Sequence, residues 1–475
     1  MKTLWQLNKM RKEIIKKKEF ILNFSSVTNS SRICVLDHNS GKCSSVDINI
    51  FDQDFQYRIK QDFPSIIADL IDIAVAVHAS DRLSEQKLDQ SQTYINVILP
   101  VRNLTQMTNE FREKLEDLLE WATGSRWSFT FQKRILGERN TELQHVVATI
   151  PEDCEVALWS GGLDALAGLC TRLQLNPSKS FLLFGTGSND TVYSRQEDVF
   201  NALKKLFPNR LYLCRVPIRF SDSYFYKKNK ISRARGVVFT FLGAACAHLM
   251  NQNALYLYEN GIGAINLPYI KSSIGLDHSR SVHPITLLKV SDVLSDLLGQ
   301  SFTVNNPFLF WTKAEMCRSL FENRSTNVVK LASSCDSPHR KQPTQCGYCS
   351  SCLLRKQSLS ASMIRDETRY VVPHGEQPKG DVTLHFRHMK DQVSVLKSIL
   401  DIDSAPSTQW EALTQRFPEL DDIVDRMCTV EEMPNENLKA HLIRLYQSYI
   451  SEWSIVESDM VKDCIKSDSF KIFRL

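Results

Sequence analysis

The sequence predicts an α/β protein whose centre is a parallel sheet, preceded by a smaller α+β unit and followed by a helical extension. From about residue 155 onward, short apolar runs alternate with helical patterns, which is the signature of strands joined by crossover helices. One of these junctions holds two successive glycines, and four cysteines cluster between residues 335 and 352. We therefore expect three units, at residues 1–150, 151–370 and 380–475.

The overall composition favours a soluble, cytoplasmic protein. The 475 residues are 43% hydrophobic, and 58 Lys and Arg stand against 54 Asp and Glu, which leaves a formal charge of +4. So small a net charge favours neither a nucleic acid nor an anionic membrane as a partner. No apolar run reaches the length of a transmembrane helix, and the basic residues 1–20 are not followed by the apolar run of a signal peptide.

Residues 1–150 predict a small α+β domain without a catalytic constellation. Residues 1–22 form a basic segment that we interpret as a helix, and residues 32–36 and 45–51 predict two strands joined by a turn. Apolar residues at helical spacing over 63–83 predict a buried helix, and strand, helix and strand patterns follow it. We expect this domain to bind a partner or to cover a substrate.

The junction between the first strand of the central sheet and its helix has the features of a phosphate site. The loop and the start of the helix consist of Trp159, Ser160, Gly161, Gly162, Leu163, Asp164 and Ala165. Glycines let backbone N–H groups come close to a ligand, and the positive end of the helix points to the same place. Ser160 adds a hydroxyl, and Asp164 could hold the Mg²⁺ that accompanies a nucleotide. An ordinary strand–turn–helix junction is the alternative explanation.

Two further pairs of polar residues lie at boundaries of the same sheet. Arg233 and Arg235 precede a long apolar helix, where cations oppose the helix dipole, so a phosphate or carboxylate ligand would explain them better. A solvated charge pair on a loop is the alternative. Glu259 and Asn260 follow the fourth strand, and ligands of open α/β sheets bind at the carboxyl ends of strands. These two residues could read the polar edge of a purine-like base or cap the turn.

The thirteen cysteines fall into two groups. Nine are scattered, most of them in apolar surroundings, and we interpret them as buried small hydrophobic residues. The other four are Cys335, Cys346, Cys349 and Cys352, and the last three are separated by two residues each. This spacing predicts a closed tetrahedral zinc site with Zn–S bonds of about 2.3 Å and a structural role. An iron–sulfur cluster is the competing explanation.

The C-terminal part of the sequence predicts helices. Thr312 and Glu315 have the spacing of a capping box and predict the start of a helix ahead of the cysteine cluster. Residues 380–475 contain four stretches of helical pattern, separated by Pro406, Pro418 and Pro434. A docking surface and a plain packing layer explain this extension equally well.

The glycine loop, the arginine pair and the four-cysteine pattern together resemble the QueC family of 7-cyano-7-deazaguanine synthases. Residues 155–365 carry the resemblance, and Ala165 stands where the S-G-G-x-D-S loop of PP-loop ATP pyrophosphatases has its last hydroxyl residue. The resemblance implies an enzyme that adenylates a deazaguanine carboxylate with ATP and Mg²⁺, and that holds Zn²⁺ at the four cysteines. It implies catalytic roles for Ser160, Asp164, Arg233 and Arg235, and nucleotide binding by residues 159–165 with Glu259 and Asn260.

Strings at residues 69–82, 259–261 and 283–284, and the long flanking units, resemble the longer QueC-like proteins of bacterial anti-phage systems, the QatC type in particular. This resemblance implies that the activated base passes to ammonia or to an amine on a partner protein of the same operon. The alternatives are housekeeping synthesis of the nitrile, a tRNA-modifying PP-loop enzyme, and a non-catalytic nucleotide-binding scaffold, which Ala165 motivates. The tRNA-modifying alternative would need reactive cysteines near the loop and a basic tract, and the sequence predicts neither.

Overall fold

In the computed structural model, the chain forms two β-sheets with helices around them and a group of helices towards its C-terminal end. The structure describes residues 18–27, 30–38, 40–58, 63–84, 92–135, 150–151, 153–187, 190–221, 229, 232–269, 280–322, 325–336, 345–372, 384–400, 405–431 and 433–466. The strands are β1 (Lys18–Val27), β2 (Ser30–Asp37), β3 (Lys42–Ile50), β4 (Thr93–Val101), β5 (Arg126–Lys133), β6 (Cys154–Leu158), β7 (Ser180–Gly185), β8 (Leu211–Arg215), β9 (Ile218–Phe220), β10 (Ala254–Tyr256) and β11 (Thr303–Asn305). The α-helices are α1 (Gln53–Arg58), α2 (Ser65–Leu83), α3 (Asn109–Thr123), α4 (Leu163–Leu175), α5 (Asp190–Leu206), α6 (Arg235–Leu249), α7 (Gly261–Ile265), α8 (Pro284–Leu298), α9 (Lys313–Glu322), α10 (Ser350–Ala361), α11 (Leu384–Ile399), α12 (Pro406–Arg416), α13 (Glu419–Glu431) and α14 (Asn435–Lys466).

The first sheet is mixed, with the strand order β5-β4-β1-β2-β3-β9. Strands β1, β4 and β5 run parallel to one another, whereas β2, β3 and β9 continue the sheet in antiparallel pairs. The prediction of a helix over residues 1–22 is wrong from residue 18 onward, and its earlier part lies outside the described residues. Every second residue is buried here, namely Phe20, Leu22 and Phe24. A spacing of two places these side chains on one face of a strand, whereas in a helix they would point in different directions.

The second sheet is parallel throughout, with the strand order β11-β10-β6-β7-β8. This confirms the parallel α/β architecture that the sequence predicts. The chain builds β6, β7 and β8 in one direction and then returns to place β10 and β11 on the other side of β6. The strand order therefore reverses between β6 and β10, and at such a switch point a crevice opens beyond the carboxyl ends of the strands.

The two sheets share one apolar core. Helix α2 is buried over most of its surface because it lies between the first sheet and α6, which explains why its sequence is apolar on nearly every side. Strand β9 lies far beyond residue 150 in the sequence, yet it pairs with β3 of the first sheet. The division of the chain at residue 150 thus stays a prediction about sequence patterns, while the packed core runs across it.

Helices α11 to α14 form the C-terminal extension, as the sequence predicts for this region. Trp410, Phe417, Leu442 and Tyr446 are buried in its core, which also includes Ile265 of α7. The long helix α14 packs against the other three helices and against α10. Within the described part of the chain, every helix is too short or too polar to span a bilayer.

Among the scattered cysteines five are buried, two are exposed and Cys428 is half-buried, while the side chain of Cys464 lies outside the described residues. The prediction of burial is confirmed for Cys154, Cys170, Cys214, Cys246 and Cys317. It is wrong for Cys34 and Cys43, which are exposed on the adjoining strands β2 and β3 with their Sγ atoms 3.0 Å apart. Side chains alternate along a strand, so Ile33 and Val35 face the core and Cys34 faces the solvent.

Candidate nucleotide site and metal centre

The loop between β6 and α4 lies at the switch point of the second sheet. Gly161 has a φ of +69°, and Gly162 is the N-cap of α4, whose first N–H groups have no partner within the helix. Ser160 is exposed, and its Oγ accepts a hydrogen bond of 3.1 Å from the N–H of Gly162. The loop thus presents a hydroxyl group and a helix N-terminus to the crevice, which suits a phosphate group.

The side chains of Trp159, Leu163 and Ala165 point into the protein. The indole of Trp159 is 1% exposed, and its Nε1 donates a hydrogen bond of 2.9 Å to the carbonyl oxygen of Gln196. Leu163 and Ala165 belong to the apolar core on one face of the second sheet. A role of these three residues in nucleotide binding would use their backbone atoms, and it stays a prediction.

Replacing Gly161 with alanine is expected to distort the loop. A Cβ atom there would lie 3.0 Å from the Cα of Gln196, whereas at Gly41, with a φ of +66°, a Cβ would meet nothing within 4 Å. Gly41→Ala is therefore the control, because it has the free-energy cost of a positive φ without a steric clash. In denaturant unfolding we expect a loss of about 1–2 kcal/mol for Gly41→Ala and about 1–3 kcal/mol more for Gly161→Ala. Equal losses in the two variants would contradict the close contact at Gly161.

Four polar side chains meet beside the loop: Asp164, Glu259, Asn260 and Lys313. The Nζ of Lys313 lies 2.8 Å from one carboxylate oxygen of Asp164, and the Nδ2 of Asn260 donates to the other at 2.9 Å. The same amide donates to Glu259 at 2.8 Å. Glu259 and Asn260 follow β10, Lys313 opens the helix after β11, and Asp164 follows β6. The ends of three strands thus bring these groups together at the switch point.

The charges in this cluster depend on burial and on one another. The Lys313 side chain is 5% exposed, and this burial opposes its charge. Asp164 and Glu259 outweigh the effect and raise the pKa of Lys313, so the amine is protonated at neutral pH. Burial, and next the charge of Asp164, raise the pKa of Glu259 to about 8. The carboxylate oxygens of Asp164 are the ligand type that Mg²⁺ takes, so Asp164 could hold the predicted ion.

Asn260 also caps a turn, which was one of the two roles open to it. Its Oδ1 accepts a hydrogen bond of 2.9 Å from the N–H of Gly263 and begins α7, while its Nδ2 contacts Asp164 and Glu259. Both ends of the side chain are therefore engaged within the protein. The reading of a base edge by Glu259 and Asn260 stays a prediction.

Lys313 is the residue of this cluster that the sequence analysis missed. The predicted capping box is confirmed, because the N–H of Thr312 donates to Glu315 at 2.8 Å and the N–H of Glu315 donates to Thr312 at 3.1 Å. Lys313 stands inside that box, as a cation at the start of a helix that follows a strand of the same sheet. This is the signal that singled out Arg233 and Arg235, and applied here it would have found Lys313.

Arg233 and Arg235 lie at the start of α6 and contact groups outside the loop. Arg233 donates a hydrogen bond of 3.1 Å to the carbonyl oxygen of Thr123 at the end of α3, and the guanidinium of Arg235 lies 4.9 Å from the centre of the Phe239 ring. Among the described residues, neither arginine is within hydrogen-bonding distance of Asp164 or Lys313. A ligand role for Arg233 and Arg235 stays a prediction.

A carboxylate from the first unit occupies the N-terminus of α6. Asp81 of α2 is fully buried, and one of its oxygens accepts hydrogen bonds from the hydroxyl of Ser232 at 2.7 Å and from the N–H of Ala234 at 3.2 Å. The arginines predict an anion near this helix end, and the chain itself supplies one. Asp81 therefore links helix α2 of the first unit to the N-terminus of α6 in the second through these two hydrogen bonds.

Removing the Asp81 carboxylate is expected to weaken this junction. In Asp81→Ala the N–H of Ala234 and the hydroxyl of Ser232 lose their acceptor, so we expect a loss of about 1–3 kcal/mol in denaturant unfolding. Burial raises the pKa of Asp81, whereas its hydrogen bonds with Ser232 and Ala234 lower it. Asp81→Asn keeps an acceptor and should cost less. Equal losses in the two variants would show that the hydrogen bonds are not what Asp81 contributes.

The four clustered cysteines form a closed set of ligand atoms. The Sγ atoms of Cys335, Cys346, Cys349 and Cys352 are buried and all lie within 4.8 Å of one another. The Sγ atoms of Cys346 and Cys352 are 3.8 Å apart, close to the edge of about 3.8 Å in a tetrahedron with Zn–S bonds of about 2.3 Å. Gly347 has a φ of +85° and makes the bend between Cys346 and Cys349. The cluster could therefore hold zinc.

The loop that leads into the metal cluster lies against the nucleotide loop. The N–H of Ser333 donates a hydrogen bond of 3.2 Å to the carbonyl oxygen of Gly161. Arg355 of α10 is fully buried and donates a hydrogen bond of 3.1 Å to the carbonyl oxygen of Ala332. Ser333 stands between Ala332 and Cys335, so a short backbone segment connects the cysteine cluster to the glycine loop.

Comparison with known proteins gives one family match, which covers a segment of the chain. A search of curated proteins finds no matching relative. Residues 286–363 match the family described as queuosine biosynthesis protein QueC. The matched segment contains Lys313, the four cysteines and α10, whereas the glycine loop lies ahead of it. This match supports a QueC-like domain in the chain.

Proposed function

We propose that the chain is an ATP-dependent synthase of the PP-loop type that activates the carboxylate of a 7-deazaguanine. The observation that carries the proposal is the contact between Asp164 of the glycine loop and Lys313 of the QueC-like segment. In the proposed reaction a carboxylate oxygen attacks the α-phosphorus of ATP, the bond from that phosphorus to the bridging oxygen breaks, and pyrophosphate leaves. An amine then attacks the acyl carbon and loses a proton, and AMP leaves.

The parts of the site suit the charges that this reaction creates. The N–H groups of the loop and the hydroxyl of Ser160 would bind the pyrophosphate, whose charge grows as the bond breaks. Lys313 supplies a fixed positive charge beside them. Mg²⁺ held by Asp164 would neutralise phosphate charge when it is bound. Arg233 and Arg235 are the candidates for gripping the substrate carboxylate, because arginine binds carboxylates in a bidentate manner.

The units around the QueC-like segment favour a function beyond synthesis of the free nitrile. The first sheet precedes that segment in the sequence, and the helices α11 to α14 follow it. These additions resemble the QatC type, so we propose that the protein acts in an anti-phage defence system and that a partner protein supplies the amine. Housekeeping synthesis of 7-cyano-7-deazaguanine from ammonia is the alternative.

Exchange of labelled pyrophosphate into ATP tests the adenylation step without knowledge of the amine. Purified protein with ATP, Mg²⁺ and 7-carboxy-7-deazaguanine should catalyse this exchange, and 7-deazaguanine without the carboxylate is the matched control. Folded protein that shows no exchange, alone or with the products of neighbouring genes, would instead be a nucleotide-binding scaffold. Ala165 favours that second candidate, because its buried methyl group stands where the PP-loop enzymes carry a hydroxyl.

The fate of the activated base distinguishes the two proposed acceptors. With ammonia as the amine, mass spectrometry should find a free amide or nitrile of the base. With a protein amine, the mass of the base less one water should appear on the partner. A free nitrile formed at the same rate with and without the partner would contradict the defence role.

A further inference from the structure

The capping box around Lys313 is bound from outside by the C-terminal helix α14. Lys313 is the first residue of α9 and lies between Thr312 and Glu315, the two members of the box. Arg444 of α14 donates to one carboxylate oxygen of Glu315 at 2.7 Å and to the other at 3.2 Å. This bidentate contact fixes the orientation of Glu315, and Arg444 also donates to the carbonyl oxygen of Phe310 just ahead of the box.

Thr312, the other member of the capping box, also contacts helix α14. Glu452 lies about two turns beyond Arg444, and one of its oxygens accepts a hydrogen bond from the hydroxyl of Thr312. Its other oxygen accepts a hydrogen bond of 3.0 Å from Gln357 of α10. Glu452 thus connects the start of α9 to α14 and to the helix that follows the metal cluster.

Stability alone does not account for this arrangement. Glu452 is buried, and burial raises its pKa. A well-packed apolar residue at a helix interface is in general at least as stabilising as a buried carboxyl group. A buried polar network that is fully hydrogen-bonded does, however, fix one geometry. The function of Glu452 is therefore better sought in the group whose position it determines.

We propose that α14 positions Lys313 for the reaction, with Arg444 and Glu452 as positioning residues. This inference rests on the proposed function, because it assigns the Lys313 amine to a charged ligand. Displacement of a reacting or charge-stabilising group by about 1 Å can cost about 100-fold in rate. A helix that lies outside the segment matching QueC would then complete the reaction site.

The rates of pyrophosphate exchange test the proposal. Glu452→Leu and Arg444→Met should lower kcat by about 10–100-fold and change the KM for ATP much less, because the glycine loop is intact. Glu452→Gln keeps an acceptor and should recover most of the rate. Lys439→Met is the matched control, because Lys439 pairs at 2.9 Å with Glu436 of the same helix and should leave the rate unchanged. A native kcat in folded Glu452→Leu would overturn the proposal, as would an equal loss in Lys439→Met.

Acylation of lysine amines, measured by peptide mass spectrometry, tests the positioning of Lys313 independently of the proposed adenylation reaction. Lys313 is buried against Asp164 and should react slowly in the native protein. Glu452→Leu should increase its labelling, while Lys330, which is 50% exposed, should react equally in both proteins. Increased labelling of Lys313 would support the positioning role even where the native protein shows no exchange, an outcome that would contradict only the proposed reaction. Unchanged labelling of Lys313 would overturn the positioning role even if the native protein is active.

Discussion

Replacing Cys349 with serine is expected to abolish zinc binding and to weaken nucleotide binding by about tenfold or more. Cys349 is one of the four clustered thiols, and its sulfur also accepts the N–H of Cys352 as the N-cap of α10. Serine keeps a capping oxygen, so the variant removes the metal ligand and leaves the cap. Structural zinc is worth about 10–16 kcal/mol in small zinc-binding peptides. Its loss should therefore release the segment around Ser333, and with it the hydrogen bond to Gly161.

Metal content and nucleotide affinity should fall together in this variant. Elemental analysis measures the first and titration calorimetry the second. Cys428→Ser is the matched control, because Cys428 lies outside the cluster and contacts the carbonyl oxygen of Asp425, a contact that serine can make. Native zinc content in Cys349→Ser would exclude the four-cysteine site, and native nucleotide affinity without the metal would exclude coupling through Ser333. Iron in the native protein would identify the competing iron–sulfur cluster.

The parallel sheet, the cysteine cluster, and Asp164, Glu259 and Asn260 of the nucleotide site could be predicted because their sequence signals are local. Strands β6 and β7 are buried on both faces, so β7 is a short continuous apolar run and β6 is apolar except for Glu155. Residues that follow such strands meet at one edge of the sheet, and this rule singled out Glu259 and Asn260 as residues at the ligand-binding edge. The spacing of the cysteines is likewise a property of one short segment, so the cysteine cluster could be predicted without knowledge of the fold.

The remaining features depend on partners that are distant in the sequence. Lys313 is a single lysine whose one local signal is its place at the start of a helix, and its partner Asp164 is distant in the sequence. Asp81 caps a helix of another unit, and no local pattern indicates such a contact. Residues 18–22 could form a helix by composition, but pairing with β2 and β4 makes them a strand. In this last case tertiary pairing overrides local propensity.

Lys313→Met is expected to be the most damaging single substitution in the nucleotide site. Methionine preserves the length and the apolar stem of the side chain but removes the charge that faces Asp164, whose side chain is 15% exposed. Breaking a buried ion pair from one side costs about 3–5 kcal/mol, because the other charge is left uncompensated. We expect a loss in this range in denaturant unfolding. Carboxylate-dependent pyrophosphate exchange should fall by about 100-fold or more.

The stability loss in Lys313→Met should grow as the pH rises. The pKa of Glu259 is raised to about 8 in the native protein, and removing the positive charge of Lys313 raises it further. A carboxyl group whose pKa is higher in the folded than in the unfolded protein takes up a proton on folding. Its contribution to stability is therefore lost as the pH rises from the unfolded pKa through the folded one. Native and variant lose this stability together up to about pH 8, where Glu259 of the native protein deprotonates, so the variant should be closer to the native stability at about pH 6 than at about pH 9.

Two further variants distinguish the effect of Lys313→Met on stability from its effect on the exchange activity. Lys330→Met removes an exposed lysine that pairs with Glu367 at 3.4 Å, and it should cost less than about 1 kcal/mol at either pH. The double variant Lys313→Met with Asp164→Asn removes both charges, so part of the lost stability should return, whereas the exchange activity should not. Native stability of Lys313→Met at high pH would show that the contact with Asp164 is not a stabilising ion pair. Recovery of exchange in the double variant would show that Lys313 serves only to neutralise Asp164 and does not act on the ligand.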